Sequence, residues 1–174
     1  MIIVIMGVSG SGKTTIGKLL AERLSLPFIE GDDFHSKDNI LKMSRGIPLT
    51  DEDRYPWLRS LSEQLLSHQK EKGVVLACSA LKESYRKILQ EGLSEKIIWV
   101  YLQGDESILR ERIKNRKEHF MPLELLRSQL TTLEKPDNAY TFSIKEDPGT
   151  IVNKIISTLT KKQFLLHNKN HSKN

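Results

Sequence analysis

Cysteine is all but missing from this chain. Cys78 stands alone in 174 residues, so no internal disulfide can form, and a reducing cytoplasm is the expected compartment. Long apolar runs are missing too. No stretch approaches the roughly 18 residues that a membrane span needs, so no membrane partner is expected. The apolar start, Ile2 to Met6, has no basic leader and runs straight into a glycine-rich loop, which argues against a signal peptide. Acid is absent from the other end. Residues 161–174 hold Lys161, Lys162, Lys169 and Lys173 with no Asp or Glu, and these lysines account for four of the five net positive charges. The remainder is nearly neutral. The stretch 161–174 therefore reads as a basic, polar, disordered tail rather than a nucleic-acid arm, and no nucleic-acid partner is expected. Repeats and internal linkers are also lacking, so residues 1–160 form one expected domain. A composition of 38% hydrophobic and 28% charged residues supports a globular core there.

What is present is concentrated in one octet. Gly7, Val8, Ser9, Gly10, Ser11, Gly12, Lys13 and Thr14 fit the spacing G-x-x-x-x-G-K-[ST]. An apolar, β-branched run, Ile2-Ile3-Val4-Ile5-Met6, precedes it as a buried strand. Ile16, Leu19, Leu20 and Leu24 follow at helical spacing, as one buried face. Strand, loop and helix are the context this motif needs. Glycines let the loop turn its N–H groups around a phosphate, and the helix adds its positive end. Lys13 can reach the β- and γ-phosphates, and the Thr14 hydroxyl can ligate Mg²⁺. The octet predicts binding of a nucleoside triphosphate.

Further along, Leu26-Pro27-Phe28-Ile29-Glu30 reads as a second strand ending in Gly31-Asp32-Asp33-Phe34-His35. Acids at a strand's carboxyl end beside a phosphate loop are placed to act on substrate or metal. The alternative is that Asp32 or Asp33 caps the helix beginning near His35. A short helix is expected over 36–43. Thr50-Asp51-Glu52-Asp53 then opens a long one with Leu58, Leu61, Leu65 and Leu66 on its buried face. Arg54 in its first turn opposes the helix dipole, which points either to an anionic ligand or to an ion pair with Asp51 or Glu52. Strands are expected at 74–78 and 97–102, and the first of these lacks the terminal Asp usual in P-loop ATPases. Asp105 is the expected cap of a helix whose Arg110, Arg112, Lys114, Arg116 and Lys117 form a basic cluster. With the helix over 123–131, that cluster suggests a lid, about 116–136, closing over phosphates. Tyr140, Phe142 and Ile144 mark a fifth strand. Ile151, Val152, Ile155, Ile156 and Leu159 stripe the last helix. Five strands alternating with helices predict a doubly wound parallel sheet covered on both faces.

The pattern as a whole resembles the gluconate kinases, over roughly residues 3 to 158. The resemblance rests on Gly7–Thr14, Gly31-Asp32 with His35, Asn39 with Lys42-Met43, and Gly46-x-Pro48-Leu49. It continues through Asp51-x-Asp53-Arg54-x-Pro56-Trp57-Leu58, Cys78-Ser79-Ala80-Leu81-Lys82 with Tyr85-Arg86, and Arg112. It ends in Arg116-Lys117-x-His119-Phe120-Met121 and in Gln129 with Thr132-Leu133-Glu134-x-Pro136. Glu118 departs from the pattern, standing where Gly is expected. The resemblance implies the three-layer fold of nucleoside monophosphate kinases, with sheet order 2-3-1-4-5 and a lid. It also implies ATP and Mg²⁺ as cofactors, D-gluconate phosphorylated at its 6-hydroxyl within sugar-acid catabolism, and a homodimer.

On that footing Asp32 is the expected proton acceptor, and Lys13 and Arg116 neutralise the transferring phosphoryl group. Glu30 holds a water of the Mg²⁺ shell, and Arg112 stacks on adenine. Arg54 and Arg86 are suited to the carboxylate, because a guanidinium binds it bidentately. His35, Asn39, Lys82 and Gln129 are candidates for the hydroxyls. Rival readings are a shikimate or nucleotide kinase on the same fold, a nucleic-acid module using the tail, and a GTPase switch. The last lacks its N-K-x-D motif, since neither Asn153-Lys154 nor Asn168-Lys169 is followed by Asp in that spacing.

Overall fold

The computed structural model describes residues 1–115 and 122–171, as backbone only from 162. Five strands form its centre: β1 (Ile2–Met6), β2 (Phe28–Glu30), β3 (Val74–Ala77), β4 (Ile98–Gln103) and β5 (Ala139–Ser143). Around them lie α1 (Lys13–Leu24), α2 (Lys37–Ser44), α3 (Asp51–Gln69), α4 (Glu83–Gln90), α5 (Glu106–Lys114), α6 (Leu123–Thr132) and α7 (Pro148–His171). All strand pairs are parallel and the order is β2-β3-β1-β4-β5, as expected. Every residue of β1 and β3 is fully buried, which is why both read as unbroken apolar runs.

Parallel order fixes where chemistry can happen. Every strand ends at the same edge, so the loops after β1, β2 and β3 converge there, next to where the order reverses about β1. Close packing tightens the convergence. A Cβ on Gly31 would lie 2.5 Å from the Ala77 carbonyl oxygen, so only glycine lets the β2 exit pass this near to β3. At the head of α3, Thr50 accepts from the Asp53 N–H while the Asp53 carboxylate accepts from the Thr50 N–H. This reciprocal cap contributes on the order of 1 kcal/mol to fixing the first turn, in which Arg54 sits.

Four local expectations are corrected. Leu19 points outward, and α1 instead presents Ile16, Gly17, Leu20 and Ala21, whose small members allow close approach to the sheet. Neither Asp32 nor Asp33 caps α2. Both lie in a 3₁₀ turn, Gly31–Phe34, and Ser36 is the cap, accepting from the Asn39 N–H at 3.1 Å. Asp105 occupies the cap position of α5 without a capping bond and pairs with Lys145 at 2.8 Å. Finally, α7 continues through His171 where a tail was expected from 161. Lys161–His171 contains no Gly or Pro to stop a helix.

Candidate active site

The phosphate loop leaves β1 and enters α1 at Gly12, whose φ of 93° is a left-handed conformation that side chains resist. Lys13 Nζ folds back to donate to the Val8 carbonyl at 3.2 Å. Ser11 Oγ is buried with no hydrogen-bond partner among the described residues. Thr14 Oγ1 donates to Glu30 Oε2 at 2.6 Å, so its proton is committed and its lone pairs are left for a cation. A hydroxyl with a carboxylate behind it suits Mg²⁺, which takes few protein oxygens and completes its shell with phosphates and water. Among the described residues no group of three or more His, Cys, Asp or Glu is arranged to hold a metal.

Two cavities flank this loop. One is bordered by Gly10, Gly12, Thr15, Arg112, Pro148 and Ile151. Arg112 lines this cavity, its guanidinium donating to the Ile144 carbonyl at 2.6 Å. The other cavity opens on the Lys13 side and is lined by Asp32, His35, Arg54, Ser79 and Gln129, among others.

In the second cavity the chain's polar side chains are held with care. Arg54 is buried, and its guanidinium donates to the Leu49 carbonyl and, at 3.5 Å, to the Tyr85 hydroxyl. Those partners are neutral. No ion pair of Arg54 with Asp51 or Glu52 is found among the described residues, and Asp51 accepts instead from Lys82 at 2.9 Å and from the Tyr85 hydroxyl. A buried guanidinium without a carboxylate is costly, and an anionic ligand would offset that cost. Gln129 Oε1 accepts from the Ser9 N–H at 2.6 Å, tying α6 to the phosphate loop. His35 stacks on Trp57 with centroids 4.2 Å apart, and Trp57 Nε1 donates to the Gly31 carbonyl at 2.7 Å. His35 Nε2 lies 4.0 Å from Asp32 Oδ1.

Burial lowers the His35 pKa, Asp32 pulls it up, and Arg54 pushes it down again; the net shift is downward from 6.5. Above pH 6.5 the ring is neutral in both the folded and the unfolded chain. Below it the unfolded chain binds the proton first, so stability falls as pH drops from 6.5 towards the folded-state value. Urea unfolding at pH 7 and pH 5 should show a smaller acid loss for His35→Gln than for the parent chain. An equal loss in both would remove His35 from the account.

Of the residues expected at the site, Lys13, Asp32, His35, Arg54 and Gln129 come together here, with Thr14 and Glu30 behind the loop. Three others do not line this cavity. Arg86 donates to the Ala80 and Leu81 carbonyls at 2.9 and 3.3 Å, holding the turn in which Ala80 takes a φ of 44°. Lys82 is committed to Asp51. Asn39 is buried behind His35. Arg116 and the rest of 116–121 lie outside the described residues, so the lid expectation is represented only by α6 and the chain beyond it. Ser79 was missed as a site residue: it leaves β3 beside Cys78, whose thiol burial pushes up to about 12. The Cys-Ser-Ala-Leu-Lys run was the signal that pointed to it.

The chain is similar to known proteins over most of its length. Residues 9–160 match the family model of shikimate kinase. The chain is 44% identical to a probable gluconokinase of Xenopus tropicalis, covering 95% of this chain and 97% of that one. It is 48% identical to the thermosensitive gluconokinase of Escherichia coli K12, over 76% and 71% of the two chains. The solved structure of a gluconokinase from Sinorhizobium meliloti 1021 superposes with a TM-score of 0.85 at 43% identity, covering 99% and 97%.

Proposed function

Because the chain belongs to the gluconokinase family, on the P-loop kinase fold that the shikimate kinase model describes, we propose that it transfers the γ-phosphoryl group of ATP to the 6-hydroxyl of D-gluconate. The products are 6-phosphogluconate and ADP, within sugar-acid catabolism. A bond forms between O6 and the γ-phosphorus, the bond from that phosphorus to the β–γ bridging oxygen breaks, and the O6 proton passes to Asp32.

The observation that carries this reading is the second cavity. A phosphate-loop lysine, a carboxylate at the β2 exit and a buried guanidinium lacking a carboxylate partner face one space. Gluconate is a hydroxylated chain with a carboxylate at one end and the reacting hydroxyl at the other. Arg54 suits the carboxylate, Asp32 the reacting hydroxyl, and His35, Ser79 and Gln129 the hydroxyls between. Lys13 counters charge on the transferring group, and catalysis is mostly positioning and electrostatics. Thr14 would hold Mg²⁺ directly and Glu30 through water, and the ion would neutralise charge on the phosphate oxygens. Arg112 stacks on adenine in the first cavity. Arg116 belongs to the same proposal, as a second cation on the phosphoryl group. Asn39, Lys82 and Arg86 serve by holding neighbouring groups rather than by touching substrate.

Family resemblance supports a homodimer, and the lone buried Cys78 supports a cytoplasmic setting. No helix among the described residues is long and apolar enough to cross a membrane. Purified protein with MgATP should release ADP with D-gluconate, and far less with shikimate or a nucleoside monophosphate. Turnover on either of those equal to that on gluconate contradicts the proposal.

A further inference from the structure

Asn39 is expected from sequence to touch substrate, yet its amide is spent inside the protein. Its Nδ2 donates to the Asp53 carbonyl at 2.8 Å and sits 3.4 Å from His35 Nδ1. The first contact fixes which way the amide points. A backbone carbonyl only accepts, so the atom facing it must be the nitrogen. That nitrogen has a second hydrogen, and the second partner within reach is His35 Nδ1, which accepts it only when unprotonated. The imidazole proton is left on Nε2, the ring atom nearest Asp32. Trp57 holds the ring plane by stacking, and the Ser36 cap holds the Asn39 backbone.

We propose that Asn39 is a positioning residue that locks His35 in the Nε2–H tautomer, so that the imidazole is a fixed hydrogen-bond donor beside Asp32 on the acceptor side of the cleft. The lock has chemical sense there. Asp32 takes a proton from the reacting hydroxyl, and a neighbour that accepted hydrogen bonds would compete for that same hydroxyl. A fixed donor leaves Asp32 as the acceptor and orients its carboxylate or a substrate oxygen. The charged groups facing His35 are Asp32 on its own turn and Arg54 on α3, with Lys13 across the cleft. The kinetic consequence rests on the gluconokinase reading; the tautomer itself does not.

Long-range ¹⁵N NMR of the full chain tests the tautomer, because protonated and bare ring nitrogens have distinct shifts, and kcat tests its consequence. Wild-type His35 should show a protonated Nε2 and a bare Nδ1. In Asn39→Asp the new carboxylate accepts from Nδ1, so the pattern should reverse. For that variant kcat with gluconate should fall roughly tenfold to a hundredfold, the scale of a misplaced catalytic contact, with KM for ATP unchanged. His35→Gln places an amide donor near the same point without a tautomer to lock. In that background Asn39→Asp should cost little further kcat. A bare Nε2 in the wild type overturns the proposal even if Asn39→Asp does not fold. So does an equal loss on Asn39→Asp with and without His35→Gln, which would mark Asn39 as merely structural. Absence of gluconate turnover would sink the function and leave the tautomer result standing.

Discussion

Asp32→Asn should lower kcat with gluconate by about 10²- to 10⁴-fold, the usual cost of losing a positioned general base. Asn keeps the shape and the hydrogen-bonding reach of the side chain and removes its basicity. Phosphoryl transfer is often loose, with little proton motion early, so the lower end of that range is expected. The structure sharpens the test, because the capping role that would make this substitution silent belongs to Ser36. The Asp32 side chain is 58% exposed, so the fold loses no buried contact. Stability should stay within about 0.5 kcal/mol of the parent, as for other surface changes. Asp33→Asn, in the same 3₁₀ turn, is the control and should leave kcat nearly unchanged. If Asp32→Asn kept more than about a third of the parent kcat, a change of only about 0.65 kcal/mol, Asp32 would not be the acceptor.

Lys13→Met should cost about 10²- to 10³-fold in kcat, the scale of one preorganised group that stabilises developing charge. Met matches the lysine stem in length and apolar character but carries no charge, so packing along the loop is retained while the cation is lost. The Lys13 ammonium donates to the Val8 carbonyl within the phosphate loop at 3.2 Å. Weaker ATP binding is expected as well, because the same charge faces the ground-state phosphates. Stopped-flow turnover at saturating ATP separates the two effects. A kcat unchanged at saturation would reduce Lys13 to a binding residue.

Much of the architecture was legible because it is written in apolar runs. Ile2–Met6 and Val74–Ala77 are continuous because both faces of their strands are covered, and the Gly7–Thr14 octet fixes how β1 joins α1. Small residues were the blind spot. Gly17 and Ala21 face the sheet in place of Leu19, and neither adds to a hydrophobic pattern. Within the site, the strand exits put Lys13 and Asp32 together, and both followed from topology. Which polar side chains were already spoken for did not. Lys82 is taken by Asp51, thirty-one positions away, Arg86 by the carbonyls of its own loop entry, and Asn39 by the Asp53 carbonyl. Such commitments depend on tertiary contact and leave no trace in spacing. Arg54 is the opposite case. Its place in an acid-rich helix start left an anionic ligand and an ion pair both open, and only the structure shows that its hydrogen-bond partners are neutral.

The position of the transferred phosphate shows which hydroxyl the cleft presents. Proton-coupled ³¹P NMR of the reaction mixture with D-gluconate and MgATP distinguishes the carbons. C6 of gluconate carries two hydrogens, whereas each other hydroxyl-bearing carbon carries one. A phosphomonoester triplet growing in step with ADP is expected. A doublet would place the phosphate on a secondary hydroxyl, and inorganic phosphate alone would mean that water is the acceptor. Either result contradicts a cleft built to present the 6-hydroxyl to Asp32.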